Sequence, residues 1–196
     1  MADSLYLSLW FPSFDTEEML PRAAAVLRLF PFSASTPGVS YVSVQPIDWA
    51  EPSVLERRFT PPVAPEAAID VVAEFAQEDY AVSFEAYWDL WSPDENGAWT
   101  LRPSKVLFIV NGKQFDEAAY TDIGHLQIDF GLDYPFLYEE VDFNEGAEQN
   151  VKTNVAKLVD FTHRVEQACG LSGRVLWSES DENLAQKLIA RLQRVQ

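Results

Sequence analysis

"AVSFEAYWDLWSPDENGAWTLRPSKVLFIV", residues 81–110, reads as two strands joined by a polar turn. Apolar and polar residues alternate on either side of "SPDENGA", the period of a strand with one buried face. Placing Trp91 opposite Trp99 pairs Val82 with Phe108, Phe84 with Val106, Ala86 with Ser104 and Trp88 with Arg102. That face is apolar and is the expected core face. The other face then holds Glu85 with Lys105, Tyr87 with Pro103, Asp89 with Leu101 and Trp91 with Trp99. Opposite charges meet and the apolar set stays on one side, whereas a one-residue slip would mix the two faces.

Trp88 is therefore assigned to the core. Tyr87, Asp89, Trp91, Trp99 and Leu101 become a candidate binding surface, because Trp and Tyr framed by charge are the usual make-up of interface anchors. A purely structural account stands beside it. Cross-strand aromatic pairs stabilise a hairpin by roughly 0.2–1 kcal/mol, and the acidic, aromatic segment 133–149 offers a cover for that face.

Working outward, residues 5–11 are β-rich, and 14–30 are helical with Asp15 as N-cap and Glu18 three residues later. Pro21 marks the point from which the regular helix is expected to run. Strands are expected over 39–49 and 54–60, a helix after Pro65 with Ala68, Val71, Val72 and Phe75 inward, then the 81–91 strand. This β-α-β-β-α-β order is that of the ferredoxin-like motif, a likeness of element order only, on a fold that carries many functions.

Beyond residue 98, Asn111-Gly112 signals a two-residue hairpin returning over 113–115, and 124–132 alternates as another strand. A helix over 150–169 buries Val151, Val155, Leu158, Thr162, Val165 and Cys169 and stops at Gly170. A short strand covers 173–178. A last helix is capped by Ser180, with Leu184, Leu188, Leu192 and Val195 inward. The expected class is α+β: a mostly antiparallel sheet with helices packed on it, in one domain over 1–196, or alternatively two halves, 1–95 and 96–196.

The 196 residues carry 31 acids and 14 bases, a net charge of −17, and a pI of about 4.3. Such a chain lacks the basic face that binding to a nucleic-acid backbone requires. Its field attracts a basic partner and speeds the encounter. No apolar run approaches a membrane span, and the N-terminal stretch lacks a basic signal-peptide head. Cys169 is the single cysteine. A reducing cytoplasm is therefore expected, with no intrachain disulfide.

Motifs for chemistry are sparse. Two histidines and one cysteine cannot build a common zinc site. Residues 142–148 fit a calcium loop poorly, since the twelfth position is Thr153. The triplet 129–131 lacks every companion of a kinase site. There is no nucleophile elbow and no phosphate-cradling glycine loop, and no cofactor is expected. His125 and Asp129 share one strand face and form the weak candidate for acid–base catalysis. Three readings follow. The first is a non-enzymatic protein that engages a basic protein partner. The second is a small-molecule or carbohydrate binder that stacks its ligand on Tyr87, Trp91 and Trp99. The third is an acid–base enzyme using His125 and Asp129.

Overall fold

The computed structural model describes residues 3–137, 145–179 and 184–193. The first half yields β1 (Ser4–Trp10), α1 (Thr16–Leu29), β2 (Val39–Pro46), β3 (Leu55–Val63), α2 (Pro65–Val72) and β4 (Tyr80–Pro93). The second half yields β5 (Trp99–Asn111), α3 (Tyr120–Ile123), β6 (Leu126–Leu132), α4 (Tyr134–Leu137), α5 (Glu145–Cys169), β7 (Gly173–Ser178) and α6 (Leu184–Gln193). Asp15 caps α1, its carboxylate accepting from the Glu18 amide at 3.1 Å. The helix thus starts at Thr16 and runs through Pro21, five residues ahead of the start read from the proline. Gly170 adopts φ +59, the left-handed conformation that ends α5. The expected cap at Ser180, Val195 and the side chain of Leu192 lie outside the described residues. Among the described residues no helix is long and apolar enough to cross a membrane.

All seven strands join one antiparallel sheet in the order β3-β2-β4-β5-β6-β1-β7. The first half follows β-α-β-β-α-β along the chain, but its strands do not assemble as a compact ferredoxin-like unit. β5 and β6 separate β1 from β4, and β1 pairs with β6 and β7. The alternation along β1 specifies a two-faced strand without saying which neighbour it takes.

One row of paired residues shows how the core forms. Leu176, Leu7, Ile128, Phe108, Phe84 and Val42 lie opposite one another across six strands. Five of them, all but Leu176, are fully buried. Helices cover that face: α1 lies on β5, α5 on β4 and α2 on β2. The α5 stripe is buried as read, joined by Phe161 and Asn154. Trp88 sits at the centre of an aromatic cluster. Its ring lies 5.2 Å from Phe130, 5.4 Å from Phe30, 6.0 Å from Phe136 and 6.4 Å from Phe161.

Two expected pairings differ. In the β4–β5 hairpin Trp91 lies opposite Leu101, Tyr87 opposite Lys105, Glu85 opposite Leu107 and Trp99 opposite Pro93. The register is offset by two residues from the Trp91–Trp99 pairing. The turn is the cause. Asp94 accepts from the Gly97 amide at 3.0 Å and donates to the Ala98 carbonyl at 2.8 Å, and its carboxylate receives the Asn96 and Ala98 amides. Gly97 takes φ +79. This tight closure extends the ladder to Pro93–Trp99. An even offset leaves every side chain on its assigned face.

Asn111-Gly112 does not form a two-residue hairpin. The Asn111 amide donates to the His125 carbonyl and the Gly112 amide to the Tyr80 carbonyl. A Cβ on Gly112 would stand 2.3 Å from the Glu78 carbonyl oxygen. The glycine serves a close crossing of two backbones, and β6 returns only after a longer connection.

Trp88→Ala should cost about 3–5 kcal/mol, as full removal of a buried aromatic does. Trp88→Phe should cost much less, because the Trp88 indole N–H has no acceptor among the described residues. Denaturant midpoints of the two variants check this.

Candidate functional site

With helices on one face, the side chains of the other face are mostly half-buried or exposed. Register places Trp177, Tyr6, Asp129, Leu107, Glu85, Tyr41 and Arg58 in one row across all seven strands. Tyr6 stacks on Trp177 with ring centroids 4.5 Å apart, and its hydroxyl donates to Glu179 Oε1 at 3.4 Å. The Trp177 indole N–H donates to Ser8 Oγ at 3.0 Å. Glu85 is 8% exposed. One of its oxygens accepts from Ser40 Oγ at 2.8 Å and from the Tyr87 hydroxyl at 3.3 Å, and faces Arg58 Nη1 at 3.6 Å. The Arg58 guanidinium also lies 5.2 Å from the Tyr41 ring centroid. Burial, and after it the carboxylates Glu56 and Glu85, raise the pKa values of Tyr41 and Tyr87 respectively. Both hydroxyls therefore remain donors at neutral pH.

The five residues read as a binding surface lie toward the tip of the β4–β5 hairpin. Trp91 and Trp99 are half-buried and Leu101 is 52% exposed. Trp99 packs against the margin of the core. Tyr87 is engaged with Glu85. The Asp89 carboxylate accepts from Ser33 Oγ at 2.6 Å and the Ala34 amide at 3.2 Å, while its carbonyl accepts from Lys157 Nζ at 2.7 Å. Asn154 holds the Trp91 backbone, accepting from its amide at 2.9 Å and donating to its carbonyl at 2.8 Å. These contacts occupy the edge of β4 beyond the reach of β2. Much of the site thus organises the hairpin, and Trp91 and Leu101 supply the apolar surface. Of the segment suggested as a cover, Phe136 and Leu137 are buried in the core, and residues 138–144 lie outside the described part.

His125 and Asp129 are not brought together. His125 immediately precedes β6 while Asp129 lies within it, and each side chain is engaged elsewhere. The Phe11 amide donates to His125 Nδ1 at 3.0 Å, and the imidazole stacks on Phe14 with centroids 4.4 Å apart. Desolvation, with Lys113 as a second cause, lowers its pKa to about 4. The ring is neutral at pH 7, with Nδ1 accepting and the proton on Nε2. Asp129 Oδ1 accepts from the Gly131 amide at 2.8 Å. Among the described residues no group of three or more His, Cys, Asp or Glu is placed to hold a metal. An open cavity of about 350 Å³ lies between α1 and α2, lined by Leu20, Pro21, Ala24 and Ile69, with the Arg28–Glu66 ion pair at 2.6 Å on its wall. It has no aromatic wall and is not part of the aromatic face.

Sequence reasoning missed Tyr6, Tyr41, Arg58, Glu85 and Trp177 as neighbours. Alternation along each strand marks them as outward-facing, but only the strand order joins them. No protein-family model matches the chain, and no curated protein or solved structure matches it.

The depressed pKa of His125 makes a pH prediction. Its folded value lies below the unfolded value near 6.5, so the unfolded chain binds more protons between the two. Its contribution is present above pH 6.5 and is lost as pH falls toward 4. The loss should reach roughly 1–3 kcal/mol, given about 1.4 kcal/mol per pKa unit and a ring that keeps some solvent. His125→Gln should flatten that part of the profile in denaturant melts between about pH 7.5 and 4.5.

Proposed function

We propose that the chain is a non-enzymatic interaction protein that engages a basic protein partner in the cytoplasm. One observation carries the reading. In a chain of net charge −17, no described helix covers one face of the seven-stranded sheet, and that face bears Tyr6, Tyr41, Tyr87, Trp91 and Trp177 among carboxylates. Aromatic side chains provide the apolar area of an interface at low entropic cost, and the acidic field supplies steering and selectivity toward cations. The single cysteine, buried on α5, suits a reducing compartment. The separation of His125 from Asp129 favours binding over acid–base chemistry.

Partners recovered by crosslinking in the source cells, then reconstituted from purified proteins, test this. The expected partner has a pI above about 9, and its association rate falls steeply as salt rises past the screening range near 0.1 M. A neutral or acidic partner, or an association rate indifferent to salt, would defeat the proposal.

A further inference from the structure

At the end of the sheet opposite the β4–β5 turn, three connections lie together: residues 47–54 between β2 and β3, 76–79 entering β4, and 112–119 leaving β5. Backbone hydrogen bonds join them. The Ile47 amide donates to the Asp79 carbonyl, the Asp116 amide to the Ile47 carbonyl, and the Gln114 amide to the Glu78 carbonyl, each at 2.7 Å. The three connections carry Asp48, Glu51, Glu78, Asp79, Asp116 and Glu117, against Lys113 as their one base. The hairpin tip differs: there Arg102, Lys105 and Lys157 stand among Asp89, Asp94 and Glu95.

Inside this acidic rim three large apolar side chains face solvent, Ile47, Trp49 and Val54. Ile47 is 56% exposed and Trp49 48% exposed. Trp49 is held in place, its ring set edge-on to buried Phe115 with centroids 5.1 Å apart. Ile47 has φ +63, in the left-handed region that a β-branched residue rarely enters. Asn or Gly would adopt that conformation with less strain, and an exposed isoleucine gains little from the core. Folding alone gives no reason for isoleucine at this position.

We propose that this end of the sheet is the surface on which a basic protein segment docks, with Ile47 and Trp49 as its apolar anchors and the surrounding carboxylates receiving its lysines and arginines. The proposal rests on the reading that the partner is basic, and it locates the contact. Fixed apolar anchors ringed by groups of one charge are the arrangement in which a few residues dominate affinity while the rim sets selectivity.

The probe is a labelled peptide of alternating lysine and leucine, with oligolysine of equal length as the control, titrated into the whole chain at about 150 mM salt. The alternating peptide should bind more tightly than oligolysine and shift the NMR signals of the Trp49 indole and of residues 113–118. Trp49→Ala and the paired change Asp116→Asn with Glu117→Gln should each weaken binding about tenfold, and Ile189→Ala, an exposed change on α6, should leave it unchanged. Ile47→Asn should raise the thermal midpoint while weakening binding, a combination that a purely structural isoleucine would not produce. The paired carboxylate change leaves the apolar packing intact and keeps the test valid if Trp49→Ala folds poorly. Signal shifts centred on Trp91 and Leu101, with loss of binding in Trp91→Ala, would overturn this surface and leave the basic-partner reading standing. No binding of either peptide, or equal binding of both without localised shifts, would overturn both.

Discussion

The antiparallel ladder between β4 and β5 is the constraint on which the rest of the structure depends. It runs unbroken from Ala81–Asn111 to Pro93–Trp99 and forms the middle of the sheet. β2 adds to the outer edge of β4 and β6 to the outer edge of β5. Because the ladder is long and regular, one alternation governs both strands. Val82, Phe84, Ala86 and Trp88 face the helices together with Phe108 and Val106. Each helix needs only an apolar stripe to settle on that surface. β2 covers β4 only up to Ala86, so the remaining edge needs other partners. The Ser33 amide meets the Tyr87 carbonyl, and Asn154 takes both backbone groups of Trp91. A buried asparagine on a mostly apolar helix stripe is thereby explained, since unpaired backbone groups in the interior cost more than one polar side chain.

Much of this was legible in the sequence because it depends on local period. The α1 cap at Asp15, the α5 stripe from Val151 to Cys169, and the two faces of residues 81–110 follow from spacing alone. What was not legible depends on competition between partners. The hairpin register turned on whether Asp94 would close a tight turn with Gly97, a choice that face patterning cannot decide because an offset of two preserves it. Asn111-Gly112 has the composition of a turn, yet what demands glycine there is the carbonyl of Glu78, far away in sequence. The neighbours of β1, β6 and β7, come from distant parts of the chain.

The candidate site divides in the same way. Trp91 and Leu101 were identifiable because aromatic and apolar residues on an outward face stand out against the period. Their partners on the face, Tyr6, Tyr41 and Trp177, come from strands that sequence alone could not set side by side. The strand-end surface around Ile47 and Trp49 gave a still weaker signal. Its acids are spread over three connections, and no single window is unusual in so acidic a chain. Nothing in the letters of residues 46–49 announces a left-handed isoleucine. The signal arises when Asp79 and Asp116 clamp Ile47 from both sides.

The position of β1 bears on how the molecule is made. Leu7 lies opposite Ile128 in β6 and Leu176 in β7. During synthesis β1 leaves the ribosome long before either neighbour exists. Closing a loop of that length costs on the order of 4 kcal/mol in chain entropy, and no partner nearby in sequence repays it early. The strands β2 to β5 can pair among themselves first, but Leu5, Leu7 and Leu9 must wait for β6, more than a hundred residues later. In that interval a strand with three leucines on one side is open to wrong pairings. Of these seven strands, the first to be made is thus among the last to be secured. A nascent chain of this topology offers a chaperone an early, persistent handle, and shortening the chain after β6 would leave β1 with one of its two edges bare.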